Sequence, residues 1–195
     1  MAYKVFPSNL VKLDWKSTKK QSWNTTVQKS GSGKIRTMCN QSLPSWTIET
    51  KFNMLTDADY RQLLGFVASV KGGFEPFLWL DPEDYKEDDV TLTSIGGVFQ
   101  GIMRMGEWQE DAIAIKDLLV IHNHEQIPGE RIRIDGGAFY IVDEISGDPI
   151  TEEMTITAYY KYYWLVRFAD DAMSIERIFY GINKSKSFKL EVVRP

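Results

Sequence analysis

The sequence predicts a mainly β protein with one flanking α-helix, an α+β chain. Three observations carry this expectation. Short runs of alternating or β-branched and aromatic residues, each bounded by turn residues, recur along most of the 195-residue chain. Only one segment, beginning at Thr56, has sustained helical spacing. Apolar residues make up 43% and aromatic residues 13%, enough for a sizeable core.

The elements follow in order. Tyr3 to Phe6, Leu10 to Trp15 and Trp46 to Phe52 read as strands. Between Lys16 and Lys34 the chain turns polar and small and ends in Ser30-Gly31-Ser32-Gly33-Lys34, which predicts a long hairpin or mobile loop suited to contact with another subunit. Thr56 and Asp59 form a capping box, each side chain accepting from an amide that the first helical turn leaves unpaired. Tyr60, Leu63, Leu64, Val67 and Val70 then recur on one face, and that stripe needs a sheet to cover. Gly72-Gly73 ends the helix, and Phe77 to Leu80, bounded by Pro76 and Pro82, reads as a buried strand. Two strand-glycine-strand hairpins follow: Val90 to Ile95 with Val98 to Met105, and Arg131 to Ile134 with Ala138 to Ile145. A long strand from Met154 to Phe168 and shorter ones near Ser174 to Tyr180 and Ser187 to Val193 complete the chain. No linker divides it, so the expectation is one domain over residues 1–195 with a hairpin-rich insertion at about 95–150.

Charge is nearly balanced, 23 basic against 27 acidic residues for a net of −4, which argues against a nucleic-acid or anionic-membrane footprint. Cys39 is the single cysteine, so no disulfide closes within the chain. No window has the length and apolarity of a membrane span or of a secretory leader. Reactive motifs are weak. Ser30-Gly31-Ser32-Gly33-Lys34-Ile35 lacks the first glycine and the closing hydroxyl of a phosphate loop. His122-Asn123-His124 offers two imidazoles without a well-placed third ligand, so neither metal nor cofactor is expected. The acids Asp81, Glu83, Asp84, Glu87, Asp88 and Asp89 lack the spacing of a calcium loop and read as a solvated turn. No nucleophile sits in an elbow, and the chain is not expected to be an enzyme. Six tryptophans are mostly core material, but Trp23 and Trp108 lie in polar surroundings and, with Lys34 and Arg36, are candidates for a subunit interface.

Certain residues carry a further likeness. In order they are Phe6-Pro7, Arg36, Pro44, Trp46, the helix from Thr56, Gly72-Gly73, Phe77, Trp79, Asp81 and Asp84-Tyr85. Near the end come Val166-Arg167-Phe168, Asp170-Asp171 and Leu190-Glu191-Val192-Val193-Arg194. With these the chain resembles the distal tail proteins of phages and gene transfer agents. The resemblance covers about the first 90 and the last 40 residues and leaves the middle unmatched. Lys71 stands where that family usually has an arginine beside the glycine turn, and Ser45 separates Pro44 from Trp46.

The resemblance implies a tail-tube-like β-sandwich or barrel with a β-rich insertion and without catalytic activity, assembled in the host cytoplasm into the tail tip of a virion. It further implies a homo-oligomer, a hexameric ring with the tail tube protein above and the tip hub protein below, through which DNA passes without specific binding. A ring needs two complementary faces on each subunit. Two alternatives share the same residues: a hub or other minor tail protein, and a carbohydrate-binding or receptor-binding tail module using exposed aromatics.

Overall fold

The computed structural model describes residues 3–10 and 17–195, with Phe179 described by its backbone alone. The expected strand from Leu10 to Trp15 falls, beyond Leu10, outside the described residues; Leu10 itself closes a short 3-10 turn, Ser8–Leu10. The expected mainly β fold with a single α-helix is what the chain adopts. In order the elements are β1 (Lys4–Val5), β2 (Thr18–Ser22), β3 (Thr25–Lys29), β4 (Ile35–Cys39), β5 (Ser45–Thr50), α1 (Asp57–Ser69) and β6 (Phe77–Trp79). Then come β7 (Lys86–Thr93), β8 (Val98–Gln100), β9 (Ile102–Met105), β10 (Trp108–Asp111), β11 (Ala114–His122) and β12 (Glu125–Gln126). The last are β13 (Ile132–Asp135), β14 (Ala138–Ile141), β15 (Thr155–Phe168), β16 (Ile175–Phe179), β17 (Ile182–Ser185) and β18 (Phe188–Val192). The principal sheet is open, and no closed barrel forms among the described residues.

The chain divides into two compact units, Met1–Phe77 with Val166–Pro195, and Leu78–Leu165. The segment at 95–150 lies wholly within the second unit, which extends beyond it on both sides.

In the first unit the end of β15 pairs antiparallel with β18, β18 with β5, and β5 with β2. Period-two alternation gives this sheet one apolar face, with Trp46, Ile48, Val166, Phe168, Phe188 and Leu190 all buried. The residues between them carry charge: Arg167 donates to Glu191 at 2.7 Å, and Lys189 lies 3.7 Å from Glu49. Helix α1 begins as the capping box requires. The Asp59 amide donates to the Thr56 hydroxyl at 3.2 Å, and the Thr56 amide donates to the Asp59 carboxylate at 3.0 Å. Of the expected stripe, Leu63 and Val70 are fully buried. Phe66, which the stripe omitted, supplies the ring contacts, 5.0 Å from Phe6 and 5.1 Å from Phe77 between centroids. Phe77 continues to Phe168 at 5.0 Å, and Phe168 to Phe188 at 6.0 Å. Each such pair adds about 0.5–1.5 kcal/mol beyond the area it buries. Thr56→Ala removes one half of the cap and is expected to cost about 1 kcal/mol in chemical denaturation; an unchanged midpoint contradicts the assignment.

Two polar contacts fix how the helix leaves and how the chain returns. Gly73 donates its amide to the Asp171 carboxylate at 3.2 Å, and a Cβ on Gly73 would stand 2.6 Å from the Phe168 carbonyl oxygen. The double glycine is therefore a close-approach site as well as a helix stop. The β16–β17 hairpin is tied to the stretch before the helix: Asn183 and Leu55 exchange both backbone bonds at 2.8 Å, and the Phe52 amide donates to the buried Ser185 hydroxyl at 2.7 Å.

Glu75 sits between Lys4 at 2.9 Å and Lys71 at 2.8 Å, and these hydrogen-bonded ammonium groups hold its carboxyl down at about 2. Its folded value lies below the ordinary one of 4.5. The stabilisation it contributes is therefore complete above that value and is lost as pH falls through about 2. Side-chain NMR titration is expected to find this depressed midpoint; a value near the ordinary one contradicts the bridge.

In the second unit β15 lies between β7 and β11, antiparallel to both, and β12 extends β11. Here the sequence expectation needs correcting. The Gly96-Gly97 turn forms, with Ile95 bridging Val98, but β7 does not return on β8 and β9 as a hairpin. Val90 and Leu92 are buried in register beside Ala158 and Ile156 of β15, so the long strand takes β7 as its partner. β8 instead pairs with β14, which pairs with β13, and β9 pairs with β10. Phe99 and Phe139 face each other in that register and stack at 5.1 Å.

Candidate functional site

The acidic run after β6 is the first feature whose expected role changes. Rather than forming a solvated turn throughout, it has Asp81 and Glu87 buried, and only Glu83, Asp88 and Asp89 are exposed. The reason is that aromatic and basic partners cover the carboxylates. Asp81 accepts from the Glu83 amide at 3.0 Å. Asp84 accepts the Tyr162 hydroxyl hydrogen, and its backbone carbonyl accepts from the Trp164 indole at 3.1 Å. The Tyr85 carbonyl accepts from the Tyr162 amide at 2.8 Å. Glu87 accepts from the Arg104 guanidinium at 2.8 Å and from the Arg104 amide. Burial, reinforced by Asp84, pushes the Tyr162 phenol well above its ordinary range, and burial, with the Glu87 charge adding to it, pushes Tyr160 up to about 12 against the opposing Ile102 bond and Arg104 charge. The Tyr160 hydroxyl engages both backbone groups of Ile102, donating to its carbonyl at 2.7 Å and accepting from its amide at 2.8 Å. These are fasteners inside a packed unit: the Tyr162 hydroxyl is taken by Asp84, the Tyr160 hydroxyl by the Ile102 backbone and the Glu87 carboxylate by Arg104.

The residues of the family likeness therefore have structural positions. Trp46, Phe77, Trp79 and Phe168 are core. Thr56 caps the helix, and Asp81, Asp84 and Tyr85 hold the turn after β6. Arg167 bridges β15 to Glu191 and also donates to the Gly73 carbonyl at 3.4 Å. Arg194 lies half-exposed beyond β18. His122 ends β11, while Asn123 and His124 make the tight turn into β12 with positive φ. Among the described residues no group of three or more His, Cys, Asp or Glu side chains is placed to hold a metal ion, and no helix is long and apolar enough to cross a membrane.

The four interface candidates separate. Trp108 is half-buried on β10, whereas Lys34 and Arg36 belong to one exposed hairpin and Trp23 stands exposed just ahead of it. The stretch expected to be a long hairpin or mobile loop is a regular antiparallel hairpin from Thr25 opposite Cys39 to Lys29 opposite Ile35. Its tip is closed by Ser30, whose carbonyl accepts from Gly33 at 2.9 Å and whose amide donates to the Lys34 carbonyl at 2.9 Å. Every residue from Gln21 to Asn40 is exposed, on both faces of the ribbon. Trp23 is 47% exposed, and Val27, Ile35 and Met38 are more so. A two-stranded ribbon with no covering layer is marginal in water on its own, and this one leaves its apolar positions exposed. The last three residues were missed in the sequence because each is a single apolar position among polar ones. Alternation in Thr25-Thr26-Val27-Gln28-Lys29 and Ile35-Arg36-Thr37-Met38-Cys39 across a glycine-serine turn was the available signal. Near the tip Lys29, Lys34 and Arg36 share a concave surface with Ser30 and Ser32.

The class defined by these observations is a mainly β protein with a flanking helix, polar fasteners in its core and an uncovered basic hairpin. No family model matches the chain, and no curated protein sequence matches it.

Proposed function

We propose that the chain is a structural component of a phage tail tip, a distal tail protein whose copies form a ring joining the tail tube to the tip hub, in the virion. The observation that supports this reading most is the meeting of motif residues from opposite ends of the chain. Gly73 bonds Asp171, Arg167 bonds Glu191 and the Gly73 carbonyl, and Phe77 packs on Phe168. These contacts lie in the first unit, which holds most of the likeness, while its Trp79, Asp81, Asp84 and Tyr85 belong to the second. The exposed hairpin fits the role, since a subunit of a ring needs a surface that only a neighbour covers. On this reading the protein does no chemistry, DNA moves through the lumen without being held, and the tube above and hub below are its other partners.

Gold-labelled antibody against the chain tests the placement. Decoration of purified virions at the far end of the tail is expected; labelling confined to the head, or none on intact and opened particles, contradicts it. The hub alternative predicts the same end but a trimer, so stoichiometry separates the two.

A further inference from the structure

The net charge of −4 conceals a strong segregation. The first unit, Met1–Phe77 with Val166–Pro195, carries 17 basic and 9 acidic residues, a net of +8. The second, Leu78–Leu165, carries 6 basic and 18 acidic residues, a net of −12. The basic excess is concentrated where the chain is most exposed. From Lys16 to Ile48 there are six Lys or Arg residues and no Asp or Glu, and this stretch contains the whole β3–β4 hairpin. Lys29, Lys34 and Arg36 stand together near its tip with hydroxyl neighbours and no carboxylate among the lining residues.

The second unit offers the complement. Residues 143–153 hold Asp143, Glu144, Asp148, Glu152 and Glu153 and no Lys or Arg. The segment is ordered: the Asp143 amide donates to the Asp148 carbonyl at 2.8 Å, and the Asp143 carboxylate accepts from the Ile145 and Ser146 amides at 3.0 and 2.9 Å. It presents Ile145, 97% exposed, among those acids. An acidic surface with an apolar point matches a basic ribbon carrying Val27, Ile35 and Met38.

We infer that copies of this chain associate head to tail, the β3–β4 hairpin of one seated on the acidic 143–153 surface of the next. Opposite net charges on two units of one chain make such a contact self-complementary between copies without making it two-fold symmetric. Heterologous contacts of that kind are the ones that build rings. Charge complementarity steers the encounter and fixes which faces meet, while the exposed apolar residues supply the area removed from water. Nucleic acid is the other polyanion a basic ribbon attracts. The exposed apolar positions on both faces of the hairpin favour a protein surface. Seating the cations on a neighbour also keeps them from the path of DNA, as the proposed ring requires. The inference rests on that reading for the closure of the ring, but not for the pairing of the two faces.

The test measures mass by analytical ultracentrifugation for the full chain and three variants, over sodium chloride from 50 mM to 1 M. The first variant is Lys29→Glu, Lys34→Glu and Arg36→Glu; the second is Glu144→Lys, Asp148→Lys, Glu152→Lys and Glu153→Lys; the third combines both sets. Association of the parent is expected to weaken at least tenfold with salt, each single set to abolish it at 150 mM, and the combined chain to regain it. Circular dichroism and thermal midpoints matching the parent show that the variants fold, since all seven positions are exposed. An assembly unaltered by the first set, or a combined chain that stays dissociated although folded, overturns the inference and leaves the ring reading standing. A parent that associates through these faces into something other than a closed ring sinks the ring reading and leaves the inference standing. A parent that is monomeric throughout overturns the inference. So does a hairpin that binds a fluorescent duplex DNA while the first set removes that binding without changing assembly.

Discussion

Gly137→Ala is expected to destabilise the protein by about 3 kcal/mol or more, enough to unfold much of the second unit at physiological temperature. Gly137 sits where three backbone segments meet. Its carbonyl accepts from the Gly101 amide at 2.9 Å, and the carbonyl of Gly101 accepts from the Ala112 amide at 2.8 Å. The neighbouring Gly136 carbonyl accepts from the Ile115 amide at 3.0 Å. A Cβ at 137 would lie 1.6 Å from the Ala112 carbonyl oxygen and 2.6 Å from its carbon, and these are backbone atoms that cannot turn aside. Relief requires moving the β13–β14 turn away from Ala112, just ahead of β11, which breaks those bonds and leaves buried amides and carbonyls unpaired. Gly31→Ala is the control: its Cβ meets nothing within 4 Å in the exposed hairpin, and its effect is expected to stay within about 0.5 kcal/mol. Urea denaturation of both decides the matter, and equal midpoints for the two variants contradict the account.

Arg104→Ala carries the second large effect, a loss of roughly 3 kcal/mol. The Glu87 side chain is 7% exposed and has the Arg104 guanidinium 2.8 Å away. That guanidinium also reaches the Asp88 carbonyl at 3.0 Å, so one side chain ties β9 to two successive residues of β7. Removing it leaves an ionised carboxylate facing a packed interior with only an amide as donor. The guanidinium itself is 39% exposed, so water offsets part of the loss, and the figure lies at the low end for breaking a buried pair. Replacing both residues, Glu87→Met with Arg104→Met, is expected to recover much of the stability because no charge is then stranded. A double variant as unstable as Arg104→Ala contradicts this explanation.

The parts of the fold that sequence made legible are those fixed by neighbours in the chain. The Thr56 and Asp59 cap, the glycine stop and the strand at Phe77 are decided over a few residues by hydrogen-bond donors without partners and by backbone freedom. What local pattern did not reveal was partner choice. The Gly96-Gly97 turn was readable, but that β7 leaves β8 for β15 is settled by the burial of Val90 and Leu92 beside a strand more than 60 residues away. The acids at 81–89 were misread for the same reason, since Tyr162, Trp164 and Arg104, which cover them, are distant in sequence. The exposed hairpin was readable as a turn and a candidate contact surface. Its apolar positions and the opposite charges of the two units were not, because net charge averages over the very boundary that separates them.

On the proposed reading the protein works as a closed ring of identical subunits. Electron microscopy of the purified full chain near physiological salt, with particle mass from native mass spectrometry, tests it most directly. The account predicts closed rings with a central lumen and the mass of six copies. Particles that remain single copies, or that close as trimers, contradict it.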